Sequence, residues 1–126
     1  MIELSLWRGS ASSIDLDQLG AAALTRVIEA LRDCRYEVSE SAGSGEGRLS
    51  SQVFDIAPGP AALTVVTDGD RGEIRFVLDG DRFGATVAGR DTDQVLWMRL
   101  VTLGVEFAGR YCIEPTVWDP GLGVAG

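Results

Sequence analysis

The feature that most constrains this fold is a succession of short strand-like segments between residues 49 and 88, each separated from the next by turn-forming residues. The strand candidates are 49–56, 62–67, 73–78 and 83–88. The intervening segments are 58–60, which reads Pro-Gly-Pro, then 68–72 and 79–82. Short strands joined by tight turns pair antiparallel, since a parallel pair needs a long crossover. The sequence therefore predicts an antiparallel meander. In its third strand Ile74, Phe76 and Leu78 share one face, while Glu73 and Arg75 are expected to face solvent.

Both later turns contain the tetrapeptide Asp-Gly-Asp-Arg, at 68–71 and again at 79–82. An EF-hand loop needs oxygen ligands at positions 1, 3 and 5, glycine at 6 and glutamate at 12, and neither stretch meets these requirements. Asp-Gly is instead a preferred pair in hairpin turns, because glycine accepts positive φ. We therefore predict turns and no metal site. Successive turns lie at opposite ends of a strand, about 20 Å apart, so the four aspartates cannot form one catalytic pair.

Two helices flank the meander. The first follows a capping box of Asp15 and Gln18, for which Ser12 and Asp15 form a competing register. Its apolar residues recur at helical spacing. That apolar stripe comprises Leu16, Leu19, Ala23, Val27 and Leu31. The second helix is predicted from Asp91 to about Gly109, after a capping box of Asp91 and Gln94.

Alternation of apolar and polar residues predicts an opening strand at 2–8, and a short strand is predicted at 36–40 before a flexible loop at 41–47. The chain is thus expected to form one α+β domain over residues 1–126. Its antiparallel sheet has about five to six strands with two helices packed on one face, in the order β-α-β-β-β-β-β-α. The tail, 111–121, contains a further possible strand and ends in a Pro-Gly turn.

The second helix is apolar around most of its circumference. Between residues 95 and 108 its charged and hydroxyl side chains are confined to one narrow stripe, Arg99, Thr102 and Glu106. Such a helix is either central in its domain or buried on a second side by a partner. In the second case we expect a homodimer interface formed by Trp97, Val101 and Val105.

Composition narrows the function classes. The chain has 11 basic and 19 acidic side chains, a formal charge of −8 and no histidine, and all of its bases are arginine. Such acidity disfavours binding to nucleic acid or an anionic membrane surface and favours a basic partner. Without histidine or lysine, Ser-His-Asp chemistry, Schiff-base chemistry and His-ligated zinc are excluded. We predict no catalytic residues, no metal and no cofactor.

The cysteines and the N-terminal residues indicate the cellular compartment in which the protein is expected. Cys34 and Cys112 are two isolated thiols with no CxxC spacing, which favours small buried residues in a reducing cytoplasm over a disulfide between them. The first ten residues lack a basic region followed by a long apolar run, so no signal peptide is predicted, and no stretch is long enough for a membrane span. We expect a cytoplasmic protein.

Three function classes remain. The first is a non-enzymatic protein that neutralises or chaperones a basic protein partner, contacting it through Asp68, Asp70, Asp79, Asp81 and Trp118. In its opening strand, following helix and Trp-containing tail, the chain resembles small bacterial toxin-immunity proteins, and the resemblance implies such a role. The second class is an oligomeric accessory protein that self-associates through the apolar helix. The third is a small-ligand-binding protein or carboxylate-dependent enzyme.

Overall fold

The computed structural model describes residues 2–8, 15–46, 49–57, 61–80, 94–111 and 114–118. These residues form six strands and two helices in one α+β fold, as the sequence predicts. The elements in chain order are β1 (Ile2–Trp7), α1 (Leu16–Asp33), β2 (Glu37–Glu46), β3 (Leu49–Ala57), β4 (Ala61–Asp68), β5 (Glu73–Gly80), α2 (Gln94–Tyr111) and β6 (Glu114–Trp118).

All six strands belong to one antiparallel sheet with the order β2-β3-β4-β5-β1-β6. The predicted meander is confirmed for β3 to β5, which pair in sequence order, and β2 adds a further antiparallel strand beside β3. Two strands lie outside the meander. Strand β1 pairs with the free edge of β5, and β6 pairs with the other edge of β1. Alternating directions make β1 and β2 parallel, but three strands separate them, so β1, α1 and β2 form a split unit.

Because successive side chains of a strand point to opposite faces, one set of apolar residues lies on the sheet face that carries both helices. In β1 and β5 the register pairs Leu4 with Phe76 and Leu6 with Ile74, and all four side chains are buried. Helix α1 contacts β2 and β5, while α2 contacts β1, β6 and α1. From α1, Leu19, Ala23, Val27, Ala30 and Leu31 join this core, and from α2, Leu96, Leu100, Leu103 and Phe107.

The ends of α1 follow from local chemistry. The Asp15 carboxylate accepts a hydrogen bond from the backbone N–H of Asp17 at 2.9 Å, which confirms Asp15 as the N-cap. At the other end the backbone N–H of Cys34 reaches the Ala30 carbonyl at 3.1 Å. Arg35 then takes a φ of 70°, and this left-handed residue turns the chain into β2.

The largest difference from the predicted elements lies in residues 41–46, which we expected to be a flexible loop. They extend β2 to a length of 10 residues and pair with β3, from Ala42 opposite Val53 to Glu46 opposite Leu49. A register shift between Glu40 and Ala42 precedes this extension. Glycine and serine have low strand propensity, but hydrogen bonds to the neighbouring strand override that weak preference.

Other boundaries differ by a few residues. Strand β5 continues through Asp79 and Gly80, so the second Asp-Gly pair belongs to the strand. Helix α2 begins at Gln94 and ends at Tyr111. The predicted strand at 83–88, the predicted cap Asp91 and Cys112 lie outside the described residues, while the strand predicted in the tail is β6. No helix in the described part of the chain is long and apolar enough to cross a membrane.

Candidate binding surfaces

The first candidate surface is the sheet face that points away from the helices, here called the open face. Among the described residues no helix packs on it, since both helices contact the sheet from the other side. Its central part is formed by alternate residues of β4, β5 and β1. These residues are Thr64, Val66 and Asp68 of β4, Glu73, Arg75, Val77 and Asp79 of β5, and Glu3, Ser5 and Trp7 of β1.

An ion-paired cluster occupies the centre of the open face. The Nε atom of Arg75 lies 3.4 Å from Oε1 of Glu3 and 3.4 Å from Oε1 of Glu73. Glu73 is only 4% exposed, although it lies on the face without helices. The sequence correctly predicted that Glu73 and Arg75 face away from the core, but the solvent exposure expected of Glu73 is wrong. Its register partner is the large Trp7, and its neighbour on the same face is Arg75.

The β4–β5 turn contributes Arg71 to this cluster. The guanidinium of Arg71 lies 5.4 Å from the ring centroid of Trp7, which is within the range of a cation–π contact. Arg71, Trp7 and the Arg75 ion pairs line a depression of about 380 Å³, together with Ser5. The open face therefore carries both signs of charge and an aromatic ring, with the guanidinium groups already engaged within the chain.

The turn itself confirms the hairpin predicted for the first Asp-Gly-Asp-Arg. The Asp68 carboxylate accepts hydrogen bonds from the backbone N–H groups of Asp70 at 3.1 Å and Arg71 at 3.2 Å. Gly72 has a φ of 65°, which glycine adopts without strain, and its carbonyl accepts from the Arg8 N–H at 2.8 Å. Asp68 thus stabilises the turn, while Asp70 is exposed at its tip.

The predicted partner-binding residues lie at two margins of the open face. Asp68 and Asp70 border it at the β4–β5 turn, and exposed Asp79 borders it at the far end of β5. Asp79 lies six positions beyond Glu73, which pairs with Asp68, so the two margins are about 20 Å apart. Trp118 occupies the β6 position opposite Glu3, and Asp81 lies outside the described residues. In the part of the chain that the structure describes, no three acidic or cysteine side chains are grouped so that they could hold a metal.

The second candidate surface is the outward side of α2, here called the α2 crest, which consists of Val95, Met98 and Val105. These side chains are 63%, 58% and 65% exposed. Of the three interface residues predicted from sequence, Val105 lies on the crest, whereas Trp97 and Val101 are half-buried on its flank and Trp97 packs against the core. Sequence reasoning missed Val95 and Met98, because an all-round apolar helix does not reveal which side faces water.

A groove separates α1 from the α2 crest. Two ion pairs cross it, Arg26 with Glu106 at 2.8 Å and Asp33 with Arg99 at 3.1 Å. Seven residues separate the two pairs on each helix, and their order makes the helices antiparallel. The groove has a volume of about 690 Å³ and a floor formed by Ala30 and Leu103. The polar stripe predicted on α2 is thus confirmed, and its charged members bind the neighbouring helix at the surface.

Comparison with known proteins adds no relative to this geometry. No protein-family model matches the chain. No curated protein and no solved structure shows significant similarity to it.

Proposed function

We propose that this protein is a non-enzymatic binding protein that neutralises or chaperones a basic protein partner, in the manner of a toxin-immunity protein. The observation that carries the proposal is the open face bordered by acidic residues at both ends. The partner would cover the open face and place basic side chains beside Asp70 and Asp79.

Charge supports a basic partner. The formal charge of −8 comes with 11 arginines and no lysine, and several of those arginines are engaged within the chain. Arg26, Arg75 and Arg99 form ion pairs with acidic side chains of the same molecule. Complementary charge accelerates association and rejects partners of like charge. A strongly acidic protein therefore selects basic surfaces before any close contact forms.

The dimensions of the open face support a protein partner. Its acidic margins are about 20 Å apart along β5. A standard interface covers roughly 800 Å² on each partner, which a patch of that length on several adjacent strands can supply. Trp7 belongs to a residue type that is common in binding hot spots. A large partner surface can contact both margins and the central cluster at once.

The proposal is tested by titrating the protein with basic effector domains encoded beside its gene, using isothermal calorimetry at 150 mM salt. We expect one sub-micromolar complex. Asp70→Arg combined with Asp79→Arg should weaken it at least tenfold, because two attractive contacts become repulsive. The matched control is Asp17→Arg combined with Glu29→Arg, which makes the same charge change on exposed positions of α1.

Equal losses in the two double variants would show that net charge, and not the open face, governs binding. Absence of any sub-micromolar complex among these domains would overturn the proposed role itself.

A further inference from the structure

The α2 crest is an unusual concentration of exposed apolar side chains. In the part of the chain that the structure describes, four large apolar residues are more than half exposed, and three of them are the crest residues. The fourth is Leu49 of β3. Crest positions 95, 98 and 105 are separated by three and seven residues, which is the spacing of one side of a helix. An apolar stripe of this kind, interrupted by Thr102 between Met98 and Val105, is typical of an interaction surface.

We propose that the α2 crest binds a second copy of this chain, with the two α2 helices antiparallel about a two-fold axis near Thr102. A two-fold interface brings one surface against itself, so the crest must be complementary to its own copy. This inference is independent of the proposed basic partner, which would use the opposite side of the molecule.

The order of residues along α2 meets this requirement. When two antiparallel helices cross at Thr102, Met98 of one copy lies opposite Val105 of the other, and Val95 lies opposite Gly109. Gly109 has open space around its α-carbon, since a Cβ built there meets no atom within 4 Å. In this arrangement the long Met98 side chain meets the shorter Val105, and Val95 meets Gly109, which has no side chain.

Charge complementarity favours a second copy over other apolar partners. A two-fold axis perpendicular to the helices keeps the α1 side of one copy on the α1 side of the other. Arg99 of one copy therefore approaches Glu106 of its partner copy. Because Arg99 is already paired with Asp33 and Glu106 with Arg26, four charges of alternating sign form a row across the interface. Two such rows form, one on each side of the axis.

The expected dimer is weak. Helix α2 has 18 residues and a length of about 27 Å, and three crest side chains bury less than the roughly 800 Å² per partner of a standard interface. The two copies also repel each other through their net charge of −8 each. At 150 mM salt this repulsion is screened beyond about 8 Å, whereas the close pairs remain. We expect a dissociation constant of roughly 50 µM, so that the protein is almost entirely monomeric at 2 µM.

The first test is sedimentation equilibrium of the full chain between 2 and 500 µM in 150 mM salt. The average mass should rise from the 13.4 kDa of the monomer towards twice that value. Val105→Asp should raise the dissociation constant at least tenfold, because it buries a carboxylate at the crest. Leu49→Asp is the matched control, since it places the same charge at an equally exposed apolar position of the sheet, and it should leave the dissociation constant within twofold. Circular dichroism confirms that both variants are folded.

The second test exchanges charges to check the antiparallel register. Arg99→Glu alone places like charges opposite each other in the homodimer, and so does Glu106→Arg alone, so each variant should dimerise at least fivefold more weakly. An equimolar mixture of the two variants restores opposite charges at both contacts and should recover wild-type association as a heterodimer. Effects within each monomer are the same in the mixture as in the separate samples. A wild-type chain that remains monomeric at 500 µM, or a mixture that associates no better than its components, would overturn the proposal.

Discussion

The two helices have the same length of 18 residues and lie side by side on one face of the sheet, yet they present different sides to solvent. Helix α1 exposes mainly polar residues: Asp17, Gln18, Ala21, Thr25, Glu29, Arg32 and Asp33. Helix α2 exposes Val95, Met98 and Val105 between its charged positions. Both bury an equivalent apolar side in the core, so the demand for a core does not explain the second apolar side of α2. Helix α1 therefore presents a mainly polar side to solvent and α2 a partly apolar one, and the proposal that α2 binds a second copy rests on this difference.

The largest expected effect tests whether the core sides are in fact equivalent. Leu19 of α1 is 0% exposed and Leu100 of α2 is 1% exposed, so Leu19→Ala and Leu100→Ala should each lower the free energy of unfolding by about 2 to 5 kcal/mol. Urea denaturation followed by circular dichroism at 2 µM measures both below the concentration of any dimer. A cost for Leu100→Ala under 1 kcal/mol would show that α2 is only loosely attached to the sheet.

A smaller effect distinguishes the helices at their glycines. Gly109 lies on the outward side of α2 with open space around it, so Gly109→Ala should raise the free energy of unfolding by roughly 0.5 to 1 kcal/mol through helix propensity. At Gly20 of α1 a Cβ would lie 3.2 Å from Cδ1 of the fully buried Ile74. Gly20→Ala should therefore raise the free energy of unfolding by less than Gly109→Ala does, or lower it. Thermal unfolding of the two variants at 2 µM measures the difference, and an equal gain would contradict the close packing of α1 on β5.

The smallest effect concerns the ion pairs between the helices. The four side chains that form these pairs are between 41% and 59% exposed, so solvent screens both pairs. They are Arg26 with Glu106 and Arg99 with Asp33. Double-mutant cycles to alanine should give coupling energies of about 0.2 to 0.5 kcal/mol per pair, decreasing in 1 M salt. Cycles measured at 2 µM report the pairs within one molecule. Couplings above 1 kcal/mol that persist in high salt would indicate that the groove is less solvated than its exposure suggests.

The open face and the core face of the sheet were not equally predictable. Alternation in β5 assigned Ile74, Phe76 and Leu78 to one face and Glu73 and Arg75 to the other, because side-chain direction in a strand has a period of two. The pairing of Arg75 with both Glu3 and Glu73 could not be predicted, since it requires β1 to lie beside β5. The burial of Glu73 could not be predicted for the same reason, because only that strand pair places Trp7 opposite Glu73.

The sequence alone determined the α+β class, the two helical segments and the meander, since these depend on local periodicity, capping residues and turn chemistry. Tertiary structure alone decided that residues 41–46 extend β2, because low strand propensity there is offset by pairing with β3. It also decided which side of α2 remains exposed, since that depends on how the helix lies on β1 and β6 and beside α1. Periodicity specifies the shape of each element, whereas contacts between elements distant in sequence determine which surfaces remain available for binding.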